Sequence, residues 1–213
     1  MVERRRILWL PVGAAWAALL GRVARAAPPR SPLSFEEFIA TAEPLARERV
    51  RDATPQGQDA YVLSIAAAAV RLREVAPHPL FQFRKGIELA PIHKGAPFVV
   101  IEWRLAPNAV FEAHDHPNYS VCTVGLDGEA EVQHYELGAG NVVRHTRTAV
   151  IEKGRVDVLS PYRDNIHRFV AGPHGARGID ITTLHGSDVG FHFVELDAIP
   201  NVGATTKARL RKG

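Results

Sequence analysis

The 213-residue chain has one cysteine, Cys122, which rules out an intrachain disulfide and leaves the fold to its core and to any metal it binds. It has no apolar run long enough to span a bilayer. Ile7 to Gly21 is free of charge for fifteen residues, against the roughly 20 a membrane helix needs. With Arg4-Arg5-Arg6 before it and the small-x-small site Ala24-Arg25-Ala26 after it, that run follows the plan of a secretory signal. Adjacent arginines ahead of an apolar stretch resemble a twin-arginine export signal, here with Glu3 in front of them. Cleavage is expected after Ala26. The export machinery would then deliver the remainder to the periplasm with no stable membrane anchor.

A strong charge of one sign is missing as well. Without residues 1–26, Lys+Arg falls from 26 to 21 and Asp+Glu from 23 to 22, so the net charge moves from +3 to about −1. The alkaline isoelectric point near 9.2 therefore belongs largely to the signal segment, and the charge balance gives no reason to invoke nucleic acid. No internal repeat or low-complexity block stands out. Hydrophobic residues at 46% and charged residues at 23% are ordinary values for one globular domain.

What is present falls into a helical part and a β part. Ser34-Phe35-Glu36-Glu37 is a capping box, and Phe35, Phe38, Ile39, Ala42, Leu45 and Ala46 follow at helical spacing. Thr54-Pro55-Gln56-Gly57 breaks that pattern. A second helix is expected from about 58 to 75, ended by Ala76-Pro77-His78-Pro79, so a hairpin of helices should cover one face of a sheet. From about residue 98 the chain reads as short strands: 98–105, 109–113, 119–124, 130–137, 142–151, 155–159, 166–170, 178–184 and 191–196. Asp127-Gly128, Gly138-Ala139-Gly140, Gly154, Gly172-Pro173-His174-Gly175 and Gly186-Ser187-Asp188 read as the turns between them. Many short strands at regular spacing argue a sandwich or a barrel. Lys207, Arg209, Arg211 and Lys212, with no large apolar face, read as a flexible basic tail over 197–213.

Ten histidines are spread over this frame. His134 and His145 read as exposed strand positions. His78 and His93 fall beside prolines in connections, His174 falls in a turn, and His185 or His192 could line a cavity. His114 and His116 differ. Two positions apart on a strand, they project to one side, at a strand end that runs into Pro117-Asn118. His167 opens a new strand after a loop over 161–165, from which a third imidazole could complete one face around a metal ion.

These residues resemble the cupin superfamily, whose H-x-H pair is usually followed four or five residues later by a metal-binding glutamate, with another histidine on a later strand. In this chain those positions are Ser120 and Val121, so no carboxylate can bind there. A three-histidine set resembles the cupin thiol dioxygenases. Ser160-Pro161-Tyr162-Arg163-Asp164-Asn165-Ile166-His167 and the later Gly172-Pro173 to Gly178-Ile179-Asp180-Ile181 resemble the branch of 2-aminoethanethiol dioxygenase and plant cysteine oxidases. The resemblance covers roughly residues 80–196. It implies a mainly β protein, a cupin jelly-roll barrel with an N-terminal helical hairpin. It also implies Fe(II) held by His114, His116 and His167, and a small thiol oxidised by O2 to its sulfinic acid.

The resemblance further implies that Asp180 pairs with a substrate amine, the alternative being an ordinary rim aspartate. Asn165 could orient the metal shell or cap its loop. Arg104 could bind a substrate carboxylate or simply face outward. Cys122, six residues beyond His116, is on the wrong strand face for a cysteine–tyrosine crosslink and should be buried. Leu184-His185-Gly186 and Phe191-His192-Phe193 depart from the family's prolines and tyrosines. A cupin metalloenzyme acting on a non-thiol substrate and a non-catalytic metal- or ligand-binding cupin remain as alternatives.

Overall fold

A computed structural model describes residues 31–49, 52, 54–79, 86–95, 98–185 and 190–212. The signal segment and its cleavage site lie outside the described residues. No helix among the described residues is long and apolar enough to cross a membrane.

Helix α1 (Phe35–Arg49) starts at the expected capping box: Glu37 N donates to Ser34 Oγ at 3.2 Å, and Ser34 N donates to Glu37 Oε2 at 2.8 Å. Helix α2 (Pro55–Ala69) is capped by Thr54, whose Oγ1 accepts from Gly57 N at 3.1 Å, and proline occupies its first turn. It ends earlier than its apolar spacing suggested. Residues 70–73 turn away to bond Leu33, with Leu33 N donating to Arg71 O at 2.8 Å and Arg73 N to Leu33 O at 3.0 Å.

The remainder is antiparallel β-structure: β1 (Ile87–Gly95), β2 (Phe98–Leu105), β3 (Val110–Asp115), β4 (Tyr119–Leu137), β5 (Val142–Glu152), β6 (Val156–Leu159), β7 (Ile166–Leu184), β8 (His192–Leu196) and β9 (Thr205–Lys212). Two strands are far longer than expected. The sequence places turns at Asp127-Gly128 and at Gly172–Gly175, yet β4 and β7 run straight through them, paired with each other along most of their length. The glycines make bends rather than reversals. Gly128 and Gly175 have φ of +62° and +78°, and a Cβ on Gly128 would stand 2.2 Å from Gly175 O. Register shifts beside Gly125 and Gly128 mark the same corner as β-bulges.

Bending lets β4 and β7 serve two sheets. Their 119–125 and 178–184 halves pair with β6 and β2, and β1 extends that sheet. Their 129–137 and 166–171 halves pair with β5 and β3. The two sheets meet over Trp103, Leu105, Ala130, Val132, Ile151 and Phe169, with the Trp103 and Phe169 rings 5.3 Å apart. On the far side of the first sheet, Phe98, Val100, Cys122, Val124, Ile179 and Ile181 pack against Phe38, Ala42, Tyr61, Val62 and Ile65 of the helical hairpin. The hairpin thus covers a sheet face, and Cys122 is buried in that contact, where desolvation raises its thiol pKa well above the usual value.

Residues 205–212, expected to be a flexible tail, form β9. It pairs with β8 over 208–212 and with β5 over 205–207, so hydrogen bonding returns on itself in the order β7–β3–β8–β9–β5–β4. Ala113, Tyr135, Val143, Ile166, Val194 and Ala208, one from each of these strands, fill that ring. Of its basic residues, Arg211 finds acidic partners, donating to Glu112 at 3.0 Å and lying 2.9 Å from Glu195. The described residues therefore form a mainly β, closed antiparallel barrel with two helices on its N-terminal side.

Candidate metal centre

Strand alternation divides the neighbours of the ring core. Ala113, Tyr135 and Ile166 face the ring, so His114, His134 and His167 face the opposite side, between the two sheets. Register lines them up: His114 is opposite His167, His167 opposite His134, and His134 opposite Arg147. A one-residue shift in β3 between Phe111 and His114 brings the Phe111 ring onto His114, stacked at 4.3 Å. His116 lies just past the end of β3, and its backbone N donates to Asn165 O at 2.8 Å.

The three predicted ligands converge. His167 Nε2 lies 2.9 Å from His116 Nε2 and 3.0 Å from His114 Nε2, and all three rings are buried. Burial, the largest effect, lowers the pKa of each: His114 to about 4, and His116 and His167 well below the ordinary value. The rings are neutral at neutral pH. His114 Nδ1 donates to Glu112 O at 2.9 Å, so its Nε2 presents a lone pair. In the tautomer that leaves Nε2 unprotonated on all three rings, three lone pairs face one another and a cation between them relieves their repulsion. Imidazole nitrogens about 2.1 Å from one ion and about 90° apart stand roughly 3 Å from each other, which is the spacing of His167 from each of the other two. The cluster fits a metal bound on one face, with the opposite face open.

The absent carboxylate has a structural counterpart. Ser120 points to the helices, its Oγ donating to Gln58 Oε1 at 3.1 Å. Val121 packs with Tyr119 and Leu159, and the Tyr119 ring meets His116 edge-on at 4.6 Å. Phe169 lies 4.6 Å from His167 and Phe191 lies 5.9 Å from His114. The cluster is therefore walled by aromatic and aliphatic groups.

Asp180 lies between the sheets, in one cross-strand row with Thr123 and Asp157. Its Oδ1 accepts from Thr123 Oγ1 at 2.7 Å and from Trp103 Nε1 at 3.1 Å. Although it keeps some accessible surface, the protein surrounding it raises its pKa to about 6, against the pull of those two hydrogen bonds. Arg104 does not join this group. It alternates with Trp103 and faces the outer side, where Nε donates to Glu102 Oε1 at 3.1 Å and Nη2 to His78 O at 3.2 Å. Asn165 contributes its backbone carbonyl to His116, and the residue also lines a cavity of about 680 Å³ with Tyr162, Arg144 and Thr205.

Sequence reasoning missed the polar support. His134 is fully buried, not exposed: its Nε2 donates to Asp157 Oδ2 at 2.5 Å, while its Nδ1 is buried without a partner. Arg147 bonds Asp157 Oδ1 at 2.6 Å, Asp164 Oδ2 at 2.7 Å and Val158 O at 2.8 Å. Burial alone would raise the pKa of Asp157, but His134 and Arg147 together drive it far below the carboxylate range. His145 is also buried, its Nδ1 donating to Pro200 O at 2.8 Å. Asp115 accepts from His192 N at 2.6 Å and His192 Nδ1 at 3.0 Å, which ties the ligand strand to β8. The alternation Ala130, Val132, His134 was the available signal, because two core residues fix the face of the third.

Fold and cluster together define a class: a mainly β, closed antiparallel barrel with three histidines placed to hold a metal ion. No family model matches the sequence, and no curated protein matches it significantly. Solved structures with a similar barrel include a double-stranded β-helix protein from Klebsiella pneumoniae (18% identity, 56% of this chain and 84% of the other, TM-score 0.41). KdgF from Halomonas (18%, 52% and 90%, TM-score 0.41) is another. Oxalate oxidase in complex with glycolate (18%, 52% and 56%, TM-score 0.42) is a third. These likenesses are faint, and the class stands on this chain's own strand order and histidines.

Proposed function

We propose that the protein is a non-haem Fe(II) thiol dioxygenase that converts a small aminothiol or cysteine-type thiol to its sulfinic acid with O2. One observation carries the reading: three neutral imidazoles converge with no carboxylate among them, Val121 standing where a fourth ligand would come from. When bound, ferrous iron supplies open sites for a thiolate and for dioxygen, and the redox chemistry that adds both oxygen atoms to the sulfur. His114, His116 and His167 provide the three nitrogens and add no negative charge. Phe111, Phe169, Phe191 and Tyr119 keep bulk water from the reacting sulfur. Asp180, ionised above about pH 6 and steadied by Trp103 and Thr123, binds and orients a substrate ammonium.

Anaerobic loading with Fe(II), followed by oxygen uptake with cysteamine, cysteine, mercaptopropionate and cysteine-tipped peptides, tests the reading. Sulfinate formed in step with oxygen consumed is expected. Tight metal binding without sulfinate from any of the four would overturn the thiol assignment and leave a metalloprotein of other activity. We place the reaction in the periplasm, on the strength of the signal-like N-terminus. A mature protein beginning at Ala27 is the expected result of N-terminal sequencing.

A further inference from the structure

The helical hairpin does more than cover the sheet. The N-terminal half of α2 carries three polar contacts to the barrel, from Gln58, Asp59 and Tyr61, and they reach both ligand-bearing segments. Gln58, 2% exposed, accepts from Ser120, four residues beyond His116, and Ser120 Oγ also meets His185 Nε2 at 3.0 Å. Asp59 Oδ2 accepts from Arg163 Nη2 at 2.7 Å and Asp59 Oδ1 from Ser160 Oγ at 3.3 Å, both on the loop that delivers His167. Tyr61 pairs its hydroxyl with Thr183 of β7.

That loop is short and closed. Ser160 and Arg163 exchange backbone hydrogen bonds of 3.0 Å, and Asn165 O receives His116 N at 2.8 Å. Asp164 sits in the left-handed region at φ +53°, held from β5 by Thr146 and Arg147 at 2.6 and 2.7 Å. Arg147 therefore grips the loop from the barrel and Asp59 grips it from the helix. His114 and His116 share one strand end, so the separation that metal binding depends on is the one between that end and His167.

We infer that the N-terminal half of α2 is a strut that sets this separation, with Asp59 as a positioning residue for the metal centre. Ligand preorganisation governs metal affinity, and the loss of a supporting contact typically costs tenfold or more. The inference rests on the metal reading and not on the thiol reaction.

Titration of the metal-free protein with Co(II), followed by its visible absorption, tests it. Asp59→Asn and Arg163→Gln should each weaken Co(II) binding by about tenfold. The melting temperature without metal should change little, because the ion pair is partly solvated. Exchanging the charges, Asp59→Arg with Arg163→Asp, should recover most of the affinity. Parent-like Co(II) affinity in both single variants overturns the strut, as does a fall in metal-free melting temperature with affinity unchanged. A parent protein that takes up no Co(II), Fe(II) or Zn(II) overturns the metal reading itself, and the strut with it.

Discussion

Two buried charge clusters lie on opposite sides of the same sheet, and only one is complete. On the outer side, Glu102, with 0% exposure, accepts from Arg104 and Arg177 through Oε1 and from His78 N through Oε2. The guanidinium groups also donate to His78 O and Val75 O. Between the sheets, Asp157 is equally well held by His134 and Arg147, but buried nitrogens without a partner remain around it: His134 Nδ1 and, in the triad, His116 Nδ1. A cluster that satisfies itself is architecture. One that keeps buried nitrogens unsatisfied, each costing about 1–3 kcal/mol, is held open for something else.

Removing His167 should break this contrast most completely. His167→Ala is expected to abolish metal uptake and sulfinate formation while leaving the metal-free fold intact, checked by metal analysis and denaturant melts. Glu102→Ala should do the reverse, keeping metal binding but losing about 3 kcal/mol of stability, because two arginines lose their shared carboxylate. Asp157→Asn should cost about 2 kcal/mol at neutral pH. Its folded pKa is depressed, so its contribution exists above the unfolded value near 4 and fades as pH falls below it. The gap between variant and parent in urea melts should therefore close in acid.

Asp180→Asn should show the opposite sign and the smallest size. A carboxyl raised to about 6 binds its proton more tightly in the folded state, so ionising it costs stability as pH rises from about 4 to about 6. The variant should be about 1 kcal/mol more stable than the parent at pH 7.5 and no more stable at pH 4. Its KM should rise for cysteamine and stay unchanged for mercaptopropionate, which has no amine to pair.

The triad and the β part were legible because both depend on short-range pattern. An H-x-H pair at a strand end and β-branched segments between turn residues report local geometry directly. His134, Arg147, Asp157 and Asp164 were not legible, because their roles come from cross-strand register and a sheet-to-sheet contact that no local window contains. The corner glycines misled in an instructive way. A φ above zero with a close backbone neighbour reads locally as a reversal, whereas Gly128 and Gly175 bend two strands that stay paired. In β9, half the residues are charged, and the strand exists because β5, β8 and the acidic Glu112 and Glu195 await it. The alternation that carries Trp103 inward puts Arg104 on the outer side of the sheet, with Glu102 and His78.

The position of β9 also has a consequence for biosynthesis. Hydrogen bonding around the ring cannot close until residues 205–212 have left the ribosome, so β5 emerges with an open edge and waits for a partner made more than fifty residues later. Chain halted after residue 196, where the sequence alone would have ended the domain, should expose the edges of β5 and β8 and self-associate.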